Sequence, residues 1–288
     1  MGSFSQVKDR LRLPLPICAS PRLYDHRVMD RPVLPAAHAL GLLAAAAQEP
    51  TGLSGCHSRE ATFESFLPLP EKPGPIQAFL EILEESDGSF LVSLLTKIAS
   101  KRSAITRLKP HLHVRFCSPR AGPLPPPPAA SLLLAEPAFP VKPGPLYRDL
   151  VPFGPAFRNL SCDVRLTPAG VAAVITAPPG PPACPALGCP FVFDAALHAV
   201  NVWTQRYRGM VTFPVGYAQR CVPEPTREGE EYVCRAVPLA ASAGTQSFDI
   251  WLLDREDRVR ETVLGVEMRE LFPGLLQPPA WIVEKKTG

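Results

Sequence analysis

The sequence predicts an α+β fold in two similar halves, each an antiparallel sheet wrapped around one long central helix. Three observations carry this. Two apolar helical stretches, Pro35–Ala47 and Phe193–Tyr207, fall one in each half of the 288 residues. Strand-like segments outnumber helices in both halves, so each helix has a sheet against which to bury itself. A proline-rich stretch, Ser118–Pro145, stands between them. The expected organisation is an N-terminal unit over residues 1–118, a linker over 119–145 and a C-terminal unit over 146–288.

Residues 1–23 read as a lead-in with one or two strands. His26 follows in a charged, turn-like setting, and Pro32 and Pro35 stiffen the chain beyond it. The small apolar residues after Pro35 give about three helical turns at 1.5 Å per residue. Pro35 suits the first helical position, where a missing N–H costs nothing. Gln48–Glu60 reads as a polar loop, and Ala61–Leu69 alternates in part. Ile76–Glu84 and Ser89–Ala99 flank Asp87-Gly88, a strong hairpin signal. His111–Cys117 alternates as a further strand. The run Pro125–Pro128 makes the linker semi-rigid and partly polyproline II. Leu160–Leu166 and Gly170–Ala177 read as a strand pair. The helix Phe193–Tyr207 carries Leu197, Val200, Trp203 and Tyr207 on its apolar side. Strands follow near Tyr217–Val222, Glu231–Val237, Ser247–Leu253 and Val259–Leu271.

Composition narrows the class. A hydrophobic content of 46% supports a substantial core. A net charge of +3 argues against nucleic acid as the main partner. The 37 prolines are well over twice the usual share of about 5%. No stretch reads as the roughly 20 apolar residues of a membrane helix, so no membrane partner is expected. Lys8, Arg10 and Arg12 precede apolar residues broken by Pro14 and Pro16, which is not a signal peptide. The eight cysteines form no C-x-x-C pair and read as free thiols of a cytoplasmic protein. Cys184 and Cys189 as a disulfide or metal pair is the weaker reading.

Three residues have the chemistry of a site. Asp194 begins the second long helix, and His198 sits at i+4 on the same face. His26 lies on the approach to the first helix, well placed to be held over a cavity. Their plain readings are an N-cap for Asp194, a packed helix residue for His198 and a loop or capping residue for His26. His38 reads as a helix-surface or core-edge residue. His111 and His113 share a strand face as two metal ligands do, with no third ligand nearby. Gly154-Pro155 reads as a turn, Phe153 and Phe157 as core or tunnel wall, and Trp203 as helix packing.

Read together, these stretches resemble the dehydratase domains of polyketide synthases and of polyunsaturated fatty acid synthases. The family motif H-x-x-x-G-x-x-x-x-P is met by His26 and Pro35 in HRVMDRPVLP, with Asp30 at the glycine position. A Tyr-Gly-Pro-x-Phe segment is met by Phe153-Gly154-Pro155-Ala156-Phe157, and D-x-x-x-Q/H by Asp194–His198. Phe213-Pro214-Val215-Gly216 is similar to the strand that follows. The motifs fall in the family's order across nearly the whole chain.

The resemblance implies a double hotdog fold and removal of water from carrier-bound 3-hydroxyacyl thioesters, to give enoyl thioesters. His26 would be the base and Asp194 the acid, its pKa raised by apolar walls. His198 would position Asp194 or the substrate hydroxyl. Pro35, Phe153, Gly154, Pro155 and Phe157 would shape the substrate site. Backbone N–H groups at the helix start near Pro35 would polarise the thioester carbonyl. No metal or organic cofactor is implied, since the substrate rides on the phosphopantetheine of an acyl carrier protein. Other synthase subunits are expected partners, and a homodimer stays open. Arg206 and Arg208 read as solvated helix-end charges, with an acidic carrier surface as the alternative. Asp30 either crowds the thioester and charge-pairs with His26, or points to solvent. Two further functions share the fold: a silent scaffold that docks synthase components, and an isomerase or product-template-like cyclase.

Overall fold

The computed structural model describes residues 7–72, 74–99, 106–119, 124–134, 137–180 and 184–283. The first half begins with β1 (Val7–Cys18), a small hairpin of β2 (Arg27–Val28) and β3 (Arg31–Pro32), and helix α1 (Ala36–Thr51). It continues with β4 (His57–Phe63), β5 (Pro75–Glu85), β6 (Phe90–Ala99) and β7 (Thr106–Phe116). A short helix α2 (Ala130–Leu134) and strand β8 (Phe139–Val141) lead into β9 (Val164–Thr167) and β10 (Gly170–Thr176). Helix α3 (Pro190–Arg208) precedes β11 (Phe213–Cys221), β12 (Glu231–Ser242), β13 (Thr245–Leu253) and β14 (Val259–Arg269).

One twelve-stranded antiparallel sheet runs through both halves in the order β1-β5-β6-β7-β4-β11-β14-β13-β12-β10-β9-β8. The halves are joined edge to edge by the β4–β11 ladder, with Thr62 opposite Gly216 and His57 opposite Cys221. Both strands depart from regular pairing at this seam. β4 bulges between Arg59 and Thr62, and β11 between Pro214 and Gly216. Glu60, inside the first bulge, has a left-handed backbone at φ 51°. Bulges bend a strand and re-aim its side chains. Here they open space at the centre of the sheet. Gly216 is required at the seam, because a Cβ there would collide with the Ala61 carbonyl.

Each half wraps its strands around one helix. α1 buries Ala37, Ala39, Leu40, Leu43, Ala44 and Ala47, and these small residues let it lie close to the sheet and to α3. α3 is buried without a break from Val192 to Val200. A helix apolar on every side belongs in a core. Asp194 and His198 lie within that run, and burying such groups costs free energy unless they are hydrogen-bonded or paired.

Several boundaries differ from the sequence reading. Gln48–Glu60 is not a loop: α1 continues to Thr51, capped by Gly52 at φ 69°, and β4 begins at His57. Ala-rich sequence sustains the helix to that left-handed stop. Pro35 is the N-cap, so α1 starts at Ala36, one residue later than expected, and α3 starts earlier, at Pro190. The proline stretch, expected as a semi-rigid linker, is tied to the second half. β8 pairs with β9, Leu133 is fully buried, and the carbonyls of Pro125 and Pro128 accept hydrogen bonds from Trp251 and Arg235. Residues 1–6 of the lead-in and residues 120–123 and 135–136 of the linker lie outside the described residues. The segment Pro185–Arg208 does have the length and hydropathy of a membrane span, but 78% of its apolar 18-residue stretch is buried inside the protein.

Candidate active site

His26 lies between a short 3-10 turn, Pro21–Asp25, and β2. Its backbone N–H donates to Leu23, and its carbonyl accepts from Val33. The ring Nδ1 sits 3.2 Å from the Val33 carbonyl oxygen. A carbonyl only accepts, so Nδ1 carries the proton and Nε2 presents a bare lone pair. Phe153 and Phe157 hold the ring on two sides, with centroids 4.4 and 5.1 Å away.

The lone pair faces α3. His26 Nε2 is 4.0 Å from Asp194 Oδ1, and the other carboxylate oxygen, Oδ2, is 2.9 Å from His198 Nε2. The three side chains are 12%, 6% and 6% exposed, so bulk water hardly reaches them. Asp194 Oδ2 and both ring nitrogens of His198 lack an aligned hydrogen-bond partner among the described residues. Phe153 also closes on His198, at 5.1 Å, so one apolar ring bridges His26 and the histidine of the second half. All three polar groups line a cavity of about 750 Å³ that runs from α3 to the seam bulges.

Burial pushes the His26 imidazole below its ordinary value, against the pull of Asp194. A neutral imidazole is the form that accepts a proton. Asp194 differs from the sequence reading. Burial pushes its carboxyl up, but His198 and then His26 and His38 pull it down by more, leaving it below the ordinary carboxylate range. The apolar walls were legible in the sequence; the convergence of three imidazoles on one carboxylate was not.

The expected substrate-shaping residues divide. Phe153 lines the cavity, as does Ala36 at the start of α1. Pro35 caps that helix, whose first-turn N–H groups have no intrahelical partners. Phe157 is fully buried behind His26. Gly154-Pro155 works through Asp25, the residue before His26. The Gly154 N–H donates to the Asp25 carbonyl, and the Ala156 N–H donates to Asp25 Oδ2 at 2.9 Å. A Cβ at Gly154 would overlap the Asp25 carboxylate. Asp25 thus ties the His26 loop to the second half, a role with no spacing signal in the sequence.

Asp30 is exposed and does not line the cavity. Met29 and Asp30 form the β2–β3 turn with φ of 49° and 61°, the two positive angles of a type I′ turn. Glycine is the easiest residue there, and aspartate is among the few others that tolerate it. The carboxylate therefore sits at a backbone requirement and not against substrate.

Two more residues shape the site. His38, on α1, packs edge-on against Phe191 and lies 5.7 Å from Phe157, with its Nδ1 buried and without a hydrogen-bond partner among the described residues. Burial lowers it to about 4. Beneath α3, Arg220 donates to Glu261 at 2.8 Å in a pair only 3% and 2% exposed. Its guanidinium also lies 4.6 Å from the ring centre of Phe193, next to Asp194. The helix-end arginines are engaged, not free: Arg206 stacks on Phe139 at 3.6 Å, and Arg208 donates to Gln246. His111 bonds Ser65 and Thr96, and His113 bonds Ser93 and Glu64. No group of three or more His, Cys, Asp or Glu side chains among the described residues could hold a metal.

Comparison with known proteins places this geometry in context. No curated protein matches the chain. Solved structures of similar fold include the dehydratase domain of a mycocerosic acid synthase-like polyketide synthase (TM-score 0.73, 18% identity, 92% of this chain and 93% of that one). The dehydratase domain from the CurF module of curacin polyketide synthase gives a TM-score of 0.71 at 14% identity, over 93% and 96%. A bifunctional dehydratase-cyclase domain of ambruticin biosynthesis gives 0.65 at 20%, over 90% and 91%. The shared fold is the double hotdog. Residues 13–96 match the family model described as polyketide synthase dehydratase domain. Residues 125–277, more than half of the chain, match the one described as polyketide synthase dehydratase N-terminal domain. With His26 in the first matched segment and Asp194 in the second, the chain belongs to the polyketide synthase dehydratase family, whose reaction is dehydration during polyketide synthesis.

Proposed function

We propose that the chain is a hydro-lyase acting on 3-hydroxyacyl thioesters tethered to an acyl carrier protein. The observation that supports this reading most is the meeting of His26 Nε2 and Asp194 Oδ1 at 4.0 Å across the two halves. Neutral His26 takes the α-proton, and the C–H electrons form the Cα=Cβ bond. The Cβ–O bond breaks as the hydroxyl receives a proton from the protonated form of Asp194, which His198 positions, and it leaves as water. First-turn N–H groups of α1, where Ala36 lines the cavity, are the donors this reading assigns to the developing enolate oxygen. After release, the proton gained by His26 returns across the 4.0 Å gap to Asp194. Proton transfers alone balance the reaction, so the reading calls for no metal or organic cofactor. It also carries a cytoplasmic setting and contacts with other synthase components.

The test is intact mass of a carrier protein loaded with a 3-hydroxyacyl chain. Loss of one water with the natural chain, and none with His26→Ala or Asp194→Asn, supports the reading. Carrier binding without water loss, for both enantiomers and several chain lengths, turns it toward a silent scaffold. An unchanged mass with a cyclised chain turns it toward a cyclase.

A further inference from the structure

Three phenylalanines from separate parts of the chain meet at the seam end of the cavity. Phe66 follows β4, Phe213 opens β11, and Phe272 follows β14. Phe66 and Phe213 pack edge-on at 5.8 Å, Phe213 and Phe272 edge-on at 5.6 Å, and Phe66 and Phe272 stack at 6.5 Å. All three are half-exposed, whereas aromatic clusters normally hide in a core. Phe66 and Phe213 line the cavity, as does Leu271 beside Phe272. Their neighbours Glu64, Glu267 and Arg269 also line it and are exposed, so this is the end that meets solvent.

The other end holds the buried His26, Asp194 and His198. A carrier protein is far too large to enter, so only its flexible arm reaches them, from the solvent end. Along α3, Asn201 lies seven residues past Asp194, about 10 Å at 1.5 Å per residue. Asn201 Oδ1 accepts from the Thr212 N–H at 3.1 Å, and the aromatic group begins one residue later. A thioester placed at His26 therefore has its sulfur deep in the cavity and the distal part of its tether between these rings.

We infer that Phe66, Phe213 and Phe272 form a collar that grips the distal pantetheine arm, a binding subsite for the tether and not for the acyl chain. This rests on the proposed carrier-bound substrate. Alternating amides and short apolar links suit flat, half-wet aromatic faces. A pantetheine thioester spans from the catalytic groups to the collar, whereas an N-acetylcysteamine thioester keeps only the first amide and stops short.

The experiment compares kcat/KM for the same 3-hydroxyacyl group on pantetheine and on N-acetylcysteamine. Phe272→Ala, outside the sheet, and the milder Phe66→Leu are run beside the natural chain and Leu239→Ala, an exposed control on β12. The natural chain is expected to prefer pantetheine, and the Phe272 variant to lose about tenfold of that preference through KM, the worth of one good aromatic contact. Phe66→Leu loses part of it, and the control none. Equal loss on both thioesters, or an altered acyl-length preference with the ratio intact, overturns the collar. No turnover of either thioester by the natural chain overturns the proposed function itself.

Discussion

His26 Nε2 and Asp194 Oδ1 stand 4.0 Å apart although they come from different halves of the sheet. His26→Ala or Asp194→Asn is expected to lower kcat by about 10²–10⁴, the usual worth of a positioned acid or base. The acid limb of the kcat/KM profile should fall below pH 6.5, because burial lowers His26 and keeps it neutral into mildly acidic solution. Steady-state rates from pH 4.5 to 8 check both. A limb above 6.5 would mean that the base is charge-paired and not desolvated.

His38 gives a stability signature. Its folded pKa is about 4 against 6.5 unfolded. Between those values the unfolded chain binds a proton that the folded one refuses, so stability rises with pH. A 2.5-unit gap amounts to about 3 kcal/mol, present above pH 6.5 and lost as pH falls to 4. His26 adds the same sign. Urea denaturation at several pH values should show a shallower slope in His38→Leu than in the natural chain.

Asp30→Gly is expected to keep full activity and to gain up to about 1 kcal/mol, since glycine accepts the left-handed turn without strain. Asp30→Val should lose about 1–2 kcal/mol at the same angle. Thermal denaturation with parallel rate measurements separates turn strain from chemistry. Loss of activity in the folded glycine variant would mean that the carboxylate has a role in the reaction.

The Arg220–Glu261 pair predicts an asymmetry. Arg220→Met leaves a buried, unpaired carboxylate and should cost about 3–5 kcal/mol, while Arg220→Met with Glu261→Leu should recover most of it. Chemical denaturation of the single and double variants reads this directly. Catalysis should fall in the single variant as well, because the guanidinium also packs on Phe193, next to Asp194.

Much of this was legible in the sequence. That His26, Asp194 and His198 lie together was expected from the helical i+4 spacing and from the motif order of the resemblance, and the structure brings the three side chains together. The hairpin at Asp87-Gly88 was found because its turn chemistry is local. Asp25, His38 and the Arg220–Glu261 pair were not, because each acts through a residue distant in sequence. The lowered pKa of Asp194 belongs to the same class: it depends on which imidazoles the fold gathers around it. For Asp30 the sequence left crowding, charge pairing and a solvent-facing side chain open; the structure shows it exposed, and the reason for its place, the turn's φ angles, is one that spacing does not carry.

The β4–β11 ladder has a consequence for inheritance. Each half carries one of the two residues, His26 or Asp194, and its own helix packed on sheet, yet the cavity is lined by both. A gene fragment encoding one half would keep a single member of that pair and leave the edge of β4 or β11 unpaired. The site is a trait of the fusion, and the backbone bonds from His57–Phe63 to Phe213–Cys221 are where that trait is stored.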